Sequence, residues 1–269
     1  MSTQPQAYPW KPAPVVWLAL AGHVGALALW LLWPQQWGWA LLVLLLCHLW
    51  VTVLVMLPRN HWMGRNLTRL PVQPHAPRVA ITIDDGPDPE VTPQVLEILA
   101  QYQAKASFFC IGKRVEQHPE LARAIVAQGH GLENHGYAHS NFLAFWGSRR
   151  IQQDLARMQN VAYAATGVWP RFFRPTAGFR NPWLDPVLAR MGLQLAMWSR
   201  RGFDTRTGDA QQVLHRLEKN LDDGAILLLH DGHSARTPQG QAVIVEVLPI
   251  LLQKLQQRGL SAVKLEALP

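Results

Sequence analysis

Two long uncharged apolar stretches dominate the N-terminal part of the chain, at residues 15–33 and 39–57. At about 1.5 Å of rise per residue, each would form a helix spanning roughly 28 Å, close to the hydrocarbon thickness of a bilayer. Four tryptophans crowd the short joint between the stretches, where a membrane interface favours aromatic side chains. The pattern predicts a two-helix transmembrane hairpin within residues 1–57. A buried hairpin of a soluble protein and a cleavable signal peptide fit this pattern less well.

After residue 77 the pattern changes to short, β-prone apolar runs separated by amphipathic, helix-like stretches. The runs lie at residues 78–84, 106–112, 131–135, 171–175, 194–200, 225–230 and 260–264. Strands that alternate with helices predict parallel βα units. About seven such units predict one barrel-like α/β domain over residues 78–269.

Positive charges flank the two apolar stretches. Lys11 precedes the first stretch, whereas Arg59, Arg65 and Arg69 follow the second in a Pro- and Arg-rich segment, 58–77, that is predicted to be a linker. The joint between the stretches carries no formal charge, so the positive-inside rule places both ends of the hairpin in the cytoplasm. We therefore expect an integral membrane protein whose C-terminal domain faces the cytoplasm, with its basic collar against membrane lipids.

The formal net charge of +7 is concentrated near the predicted hairpin. Residues 84–269 hold 20 Lys and Arg against 18 acidic residues, which leaves little excess charge for binding a polyanion. The charge distribution therefore gives no support to a nucleic-acid partner, and no oligomeric state is predicted.

Polar residues capable of chemistry follow most of the predicted strands. They are Asp84 and Asp85 after the first, His135 and His139 after the third, Arg174 after the fourth, Asp204 after the fifth and His230 after the sixth. Because the carboxyl ends of parallel strands meet at one edge or mouth of the sheet, these side chains are expected to converge.

The segment HGYAH places His135 and His139 four residues apart, a spacing that lets two imidazoles on one helical turn bind one metal ion. One aspartate of IDDGP could complete a set of two histidines and one carboxylate, which leaves open positions for water and substrate. The other aspartate would then act as a general base, and the cation would offset the repulsion between the two carboxylates. Surface histidines and an ordinary Asp-Gly-Pro loop are the competing interpretations.

Five ordered segments resemble the motifs of NodB-homology polysaccharide deacetylases, carbohydrate esterase family 4. They are ITIDDGPDP, NHGYAH, FFRPTAGFRNP, WSRRGFD and ILLLHDGH, and the resemblance spans about residues 78–268. It implies a distorted (β/α) barrel with fewer than eight repeats. It also implies metal-dependent hydrolysis of an N-acyl group, usually acetyl, from an amino sugar.

Matched position by position, the resemblance implies that Asp85, His135 and His139 bind one divalent metal ion. Zn²⁺ is favoured, and Co²⁺, Ni²⁺ or Mn²⁺ would also suit such a site. The resemblance further implies that Asp84 is the catalytic base and that Arg174 holds its carboxylate by charge-assisted hydrogen bonds.

The same resemblance implies that His230 is the general acid that protonates the leaving amine and that Asp204 orients this histidine. The backbone N–H of Ala177 would be the oxyanion donor. The chain departs from the family at Thr176, where a second Pro is usual, and at Thr205, where Trp usually follows the aspartate.

A cytoplasmic domain cannot reach a polymer outside the cell, so a lipid-linked, polyprenyl-carried amino sugar becomes the expected substrate. With the opposite topology, an extracytoplasmic polysaccharide such as an exopolysaccharide or peptidoglycan fragment would be favoured. Two further candidate functions are those of an O-deacylase and of a catalytically inactive, membrane-anchored carbohydrate-binding protein.

Overall fold

The N-terminal apolar stretches form two long helices in the computed structural model, which describes residues 3–73 and 75–266. Helix α1 (Pro14–Leu32) and helix α2 (Trp37–Val55) are joined by a 3-10 turn at Pro34–Gln36. The helices begin one or two residues before the predicted stretches. In each, only 11% of the most apolar 18-residue window is buried, so most of the apolar side chains face outwards. Both helices are long and apolar enough to cross a membrane.

The C-terminal domain is built on one sheet whose named strands all pair in parallel. The strands are β1 (Arg78–Asp84), β2 (Ala106–Cys110), β3 (Gly131–Asn134), β4 (Phe172–Phe173), β5 (Gln194–Leu195), β6 (Arg200–Arg201), β7 (Ile226–His230) and β8 (Ser261–Val263). Their order is β5-β4-β3-β2-β1-β7-β6, and β8 pairs with the beginning of β1. The sheet curls into an incomplete barrel, which confirms the predicted fold class.

Helices follow most of the strands. They are α3 (Val91–Gln101), α4 (Gly112–Gln117), α5 (Pro119–Ala127), α6 (Ser148–Thr166), α7 (Leu184–Met191), α8 (Ala210–Glu218) and α9 (Val243–Gln257). Short 3-10 turns lie at Leu143–Phe145 and Thr176–Gly178.

The central strand β1 is buried on both faces, as expected for a parallel strand covered on each side. Val79, Ile81 and Ile83 belong to the large core formed with α3, α5 and α9, whereas Ala80 belongs to a separate cluster that includes Phe109. This division follows from the two-residue period of a strand. It leaves the carboxyl end of β1 at the centre of the barrel mouth.

The prediction of one strand over residues 194–200 is wrong in detail, because this run forms β5 and β6 on different sides of the sheet. Between them, the carbonyls of Ala196 and Met197 accept hydrogen bonds from the Arg174 side chain. The Arg174 side chain therefore bonds to carbonyl groups that, in a continuous strand, would accept hydrogen bonds from the neighbouring strand.

The first part of segment 58–77 packs against the domain. Leu70 is buried against the sheet and Leu67 forms a parallel bridge with Ala196, whereas Met63 is buried against the hairpin helices. The Asn66 amide also donates to the carbonyls of Pro58 and Asn60, which fixes the chain just after α2. The end of the apolar hairpin is thereby held against the domain.

The turn that follows β1 requires glycine at position 86. A Cβ at Gly86 would lie 2.3 Å from Oδ2 of Asp231, which is closer than real side chains approach. Asp231 cannot easily move, because its buried carboxylate accepts a hydrogen bond from Thr92 Oγ1 at 2.5 Å and one from the N–H of Gly232 at 2.8 Å.

The change Gly86→Ala should therefore lower the free energy of unfolding by about 1–3 kcal/mol, the usual range for overpacking. The measurement is thermal unfolding of the full chain in detergent micelles. Gly147→Ala is the matched control, since a Cβ there meets no atom within 4 Å. Equal melting temperatures for the two variants would contradict the packing described for this turn.

Candidate active site

The two adjacent aspartates of β1 converge although consecutive strand residues normally point to opposite faces. Asp84 is the last residue of β1, and Asp85 adopts a left-handed conformation with φ of 78°. Both carboxylates consequently face His135, whose Nε2 lies 3.2 Å from Asp85 Oδ1 and 3.9 Å from Asp84 Oδ2. The turn thus places both carboxylates in one pocket.

Asp85, His135 and His139 form a cluster whose ligand atoms all lie within 4.8 Å of one another. His139 Nε2 is 2.9 Å from Asp85 Oδ1. The suggestion that the histidine pair lies on a helical turn is wrong, because it occupies an irregular loop after β3 in which His139 has φ of 51°. The tight loop conformation, and not a helical repeat, brings the two imidazoles together.

The cluster fits a divalent cation. Nδ1 of His135 lies 2.7 Å from the carbonyl oxygen of Arg174; as a donor to that carbonyl, it leaves Nε2 available as a ligand atom. Burial would raise the pKa of Asp85, but hydrogen bonds with His135, His139 and His233 lower it well below its usual range. The donor set of two imidazole nitrogens and one carboxylate oxygen leaves coordination positions open for water and substrate.

Asp84 is held by a buried guanidinium. Nη1 of Arg174 lies 2.6 Å from Asp84 Oδ1, and the arginine side chain is fully buried. Its other N–H groups donate to Thr82 Oγ1 and to the carbonyls of Ala196 and Met197, at 2.9 to 3.0 Å. Because the guanidinium is fixed on several sides, it orients Asp84 and offsets its buried charge.

His230, at the end of β7, forms a second charged pair with Asp204. Nδ1 of His230 is 2.9 Å from Asp204 Oδ1, and the His230 backbone N–H donates to Asp204 Oδ2 at 2.7 Å. Burial would lower the pKa of His230, but the adjacent Asp204 carboxylate outweighs burial and raises it to about 9. His230 is therefore mainly protonated at neutral pH, with Nε2 left to face the cavity.

Ala177 lies in the 3-10 turn Thr176–Gly178 beside the cavity, with φ of 55°. The N–H groups of Gly178 and Phe179 close this turn by donating to the carbonyls of Pro175 and Thr176. The geometry makes the Ala177 N–H a candidate donor to an oxyanion.

The structure brings all the sequence-predicted side chains together at one end of the barrel. Those that line a cavity of about 200 Å³ are Asp84, Asp85, His135, His139 and His230, together with Ala177. Arg174 and Asp204 lie directly behind, each bonded to one lining side chain.

Sequence reasoning gave His233 no role, yet this residue contacts the cluster. Its Nδ1 lies 3.1 Å from Asp85 Oδ2, and its ring stacks on His139 with centroids 5.9 Å apart. The available signal was weak: His233 follows His230 by three residues, in the loop after the same strand. It adds a third imidazole beside the Asp85 carboxylate.

Comparison with known proteins supports the expected relationship. A family model described as polysaccharide deacetylase matches residues 72–196. The chain is 34% identical over 175 residues to a peptidoglycan-N-acetylglucosamine deacetylase of Bacillus cereus, covering 64% of this chain and 81% of that protein. It is 32% identical over 190 residues to a chitooligosaccharide deacetylase of a Bradyrhizobium species, covering 67% and 85% respectively.

The fold is also similar to solved structures. The match to a CE4 family pseudoenzyme from Bacillus anthracis has a TM-score of 0.65 at 26% identity, covering 74% of this chain and 66% of that chain. The similarity therefore extends beyond sequence motifs to the arrangement of the domain.

Asp204→Asn should lower the pKa of His230, because the variant loses the negative charge that outweighs burial. If protonated His230 is required for catalysis, activity falls as pH rises through about 9 in the native protein. This alkaline limb should move to lower pH by about one unit or more in the variant. The measurement is the pH dependence of kcat/KM. Asp209→Asn, at an exposed helix cap, is the matched control, and an unmoved limb in D204N would contradict the role of the pair.

His139→Gln should weaken Zn²⁺ binding by about 100-fold or more, since even supporting partners of metal ligands contribute 10–100-fold. The measurement is competition of the full chain with a chromophoric chelator. His215→Gln, at an exposed position on α8, is the control. Equal zinc affinity in both variants would place the metal elsewhere.

Proposed function

The chain belongs to the polysaccharide deacetylase family, and from this we propose that it is a membrane-anchored, metal-dependent N-deacylase of an amino sugar. Members of this family hydrolyse amide C–N bonds of carbohydrates. The observation that carries the proposal is the meeting, in one cavity, of the Asp85–His135–His139 cluster with two buried charged pairs, Asp84–Arg174 and His230–Asp204.

Each group of residues in the cavity would carry out a different step of amide hydrolysis. A divalent cation, preferably Zn²⁺ with Co²⁺, Ni²⁺ or Mn²⁺ also suitable, would be held by Asp85, His135 and His139, and when bound would polarise the acyl carbonyl and activate water. Asp84, oriented by Arg174, accepts the proton of the attacking water.

The hydroxyl of that water bonds to the acyl carbon, and the Ala177 N–H donates to the resulting oxyanion. His230 then gives its Nε2 proton to the sugar nitrogen as the C–N bond breaks. The products are a free carboxylic acid and an amino sugar. A protonated imidazole suits this last step, because an amine leaves poorly as an anion.

The position of the hairpin supports a membrane-proximal substrate. A Cβ at Gly178, which has φ of 79°, would lie 2.7 Å from Cβ of Pro58. The chain that leaves α2 therefore packs directly on the turn Thr176–Gly178, which holds the candidate oxyanion donor. If α1 and α2 span a membrane, the cavity opens close to the bilayer surface. We propose that the acyl group, acetyl or formyl, is removed from a lipid-linked saccharide, with the domain on the cytoplasmic side as the flanking Arg59 favours.

A second candidate substrate is an extracytoplasmic polysaccharide. It is favoured by the relatives, which are named for peptidoglycan and chitooligosaccharide. A reporter fused to the C-terminus distinguishes the two topologies: a reporter active only in the cytoplasm supports the lipid-linked substrate, and one active only outside the cytoplasm supports the polymer.

The direct test incubates the zinc-loaded full chain with a polyprenyl-phosphate-linked N-acetyl amino sugar and records the mass of the lipid. Loss of one acetyl group is expected, and Asp84→Asn should reduce its rate by about 10²–10⁴-fold. Peptidoglycan fragments and chitooligosaccharides serve as competing substrates. Deacylation of these polymers alone would establish the second candidate, and release of acetate from none of them would contradict both.

A further inference from the structure

A second, larger cavity of about 760 Å³ adjoins the catalytic cavity. The chain that leaves α2, residues 57–60, lines one side, and residues around β6 and the end of α8 line the other. Trp198 and Arg201 line both cavities, so the two cavities meet at these residues. We refer to the larger cavity as the basic groove.

The basic groove is lined by five cationic side chains and by no acidic one. The cations are Arg59, Arg200, Arg201, Arg216 and Lys219. Among the described residues, none of these cations has a carboxylate within 4.0 Å, although other arginines of the chain form such pairs. The carboxylates of Asp204 and Asp84 act on Arg201 from the catalytic side. The groove as a whole nevertheless carries an excess of positive charge, which attracts an anion.

Local contacts hold two of these cations, Arg200 and Arg59, in place without neutralising them. Arg200 donates to the backbone carbonyls of Ser199, Lys219 and Asn220, which fixes its guanidinium without removing its charge. The Arg59 side chain likewise donates to the Ser199 carbonyl. Part of the positive charge of the groove is therefore fixed in position.

Arg201 stands at the junction of the two cavities. Its guanidinium lies 5.5 Å from the ring centroid of Trp198 and 5.0 Å from that of Phe203. Its Nε is buried and has no hydrogen-bond partner among the residues that the structure describes. A buried guanidinium N–H without a partner is costly, and an anion at this junction would satisfy it.

The order of the elements matches one class of ligand. The groove borders the end of the apolar hairpin through the half-exposed Leu57, and it borders the catalytic cavity through Trp198 and Arg201. In a lipid-phosphate-sugar, the phosphate likewise lies between the apolar chain and the sugar ring. Arginine and lysine are the residues that bind phosphate most strongly.

On these observations, and resting on the function proposed above, we propose that the basic groove binds the phosphate that joins the acylated amino sugar to an isoprenoid carrier. The groove thereby selects a phosphate-linked sugar over a neutral one. Anionic membrane lipids and free inorganic phosphate carry the same chemical group, and the experiment separates these two sources from the carrier.

The test compares the full chain with the double variant Arg216→Gln/Lys219→Gln, whose two positions line the groove but not the catalytic cavity. Arg123→Gln/Arg149→Gln removes the same charge at exposed positions outside the groove and is the control. Lys219→Gln alone serves as a second variant, because Arg216 also donates to the Gly202 carbonyl.

The first measurement is deacylation of isoprenyl-phosphate-linked N-acetylglucosamine and of methyl N-acetylglucosaminide. The double variant should raise KM for the phosphate-linked substrate by about tenfold or more. Its kcat/KM for the neutral sugar should equal that of the control. An equal loss on both substrates, or no loss on either, would overturn the proposal.

The second measurement is equilibrium binding of farnesyl phosphate in detergent micelles, which requires no catalysis and therefore tests the groove even if the proposed deacylation fails. Farnesyl phosphate should bind at least about tenfold more weakly to the double variant, and farnesol should bind all variants equally. If inorganic phosphate displaced farnesyl phosphate at concentrations equal to those of farnesyl phosphate itself, the groove would be assigned to free phosphate. If the double variant lost binding to phosphatidylglycerol vesicles by the same factor as binding to farnesyl phosphate, the groove would be assigned to the bilayer surface.

Discussion

The burial of two neighbouring carboxylates at the end of β1 is the constraint on which the site depends. Asp84 and Asp85 would repel each other, and each needs its own positive partner inside the protein. Arg174 is the positive partner of Asp84, whereas Asp85 faces the imidazoles and the cation that they would hold. The same guanidinium donates a hydrogen bond to the Ala196 carbonyl, which lies at the break between β5 and β6. The electrostatics of the site and the shape of the sheet are therefore coupled.

Most strands and helices, and the polar residues at the strand ends, could be predicted from the sequence. The prediction for β1 matches its observed bounds, because alternating apolar residues and a following Gly-Pro turn define both ends. The break of the run at 194–200 was not predictable, since it involves a side chain from β4's end. The left-handed conformation of Asp85 and the contact of His233 were also missed, because irregular loops carry no periodic signal.

The count of charged residues along the chain did not predict where these charges cluster in the folded protein. The nearly equal numbers of acidic and basic residues in 84–269 gave no support to binding of a polyanion, yet Arg201 and Arg216 lie in one groove together with Arg59 of the preceding segment. These residues are far apart in sequence and meet only because the chain after α2 packs against the domain. A balanced composition thus conceals a local imbalance beside the catalytic cavity, and the proposed selection of a phosphate-linked substrate depends on this local charge.

The most direct test of the account is the coordination of the cation by the cluster at the barrel mouth. Zinc X-ray absorption spectra of the zinc-loaded full chain should show nitrogen and oxygen ligands at about 2.0–2.2 Å. The spectra should include imidazole scattering that weakens when His135 is replaced by Gln. Sulfur scattering at about 2.3 Å, or a spectrum that the His135→Gln change leaves unaltered, would contradict the central claim.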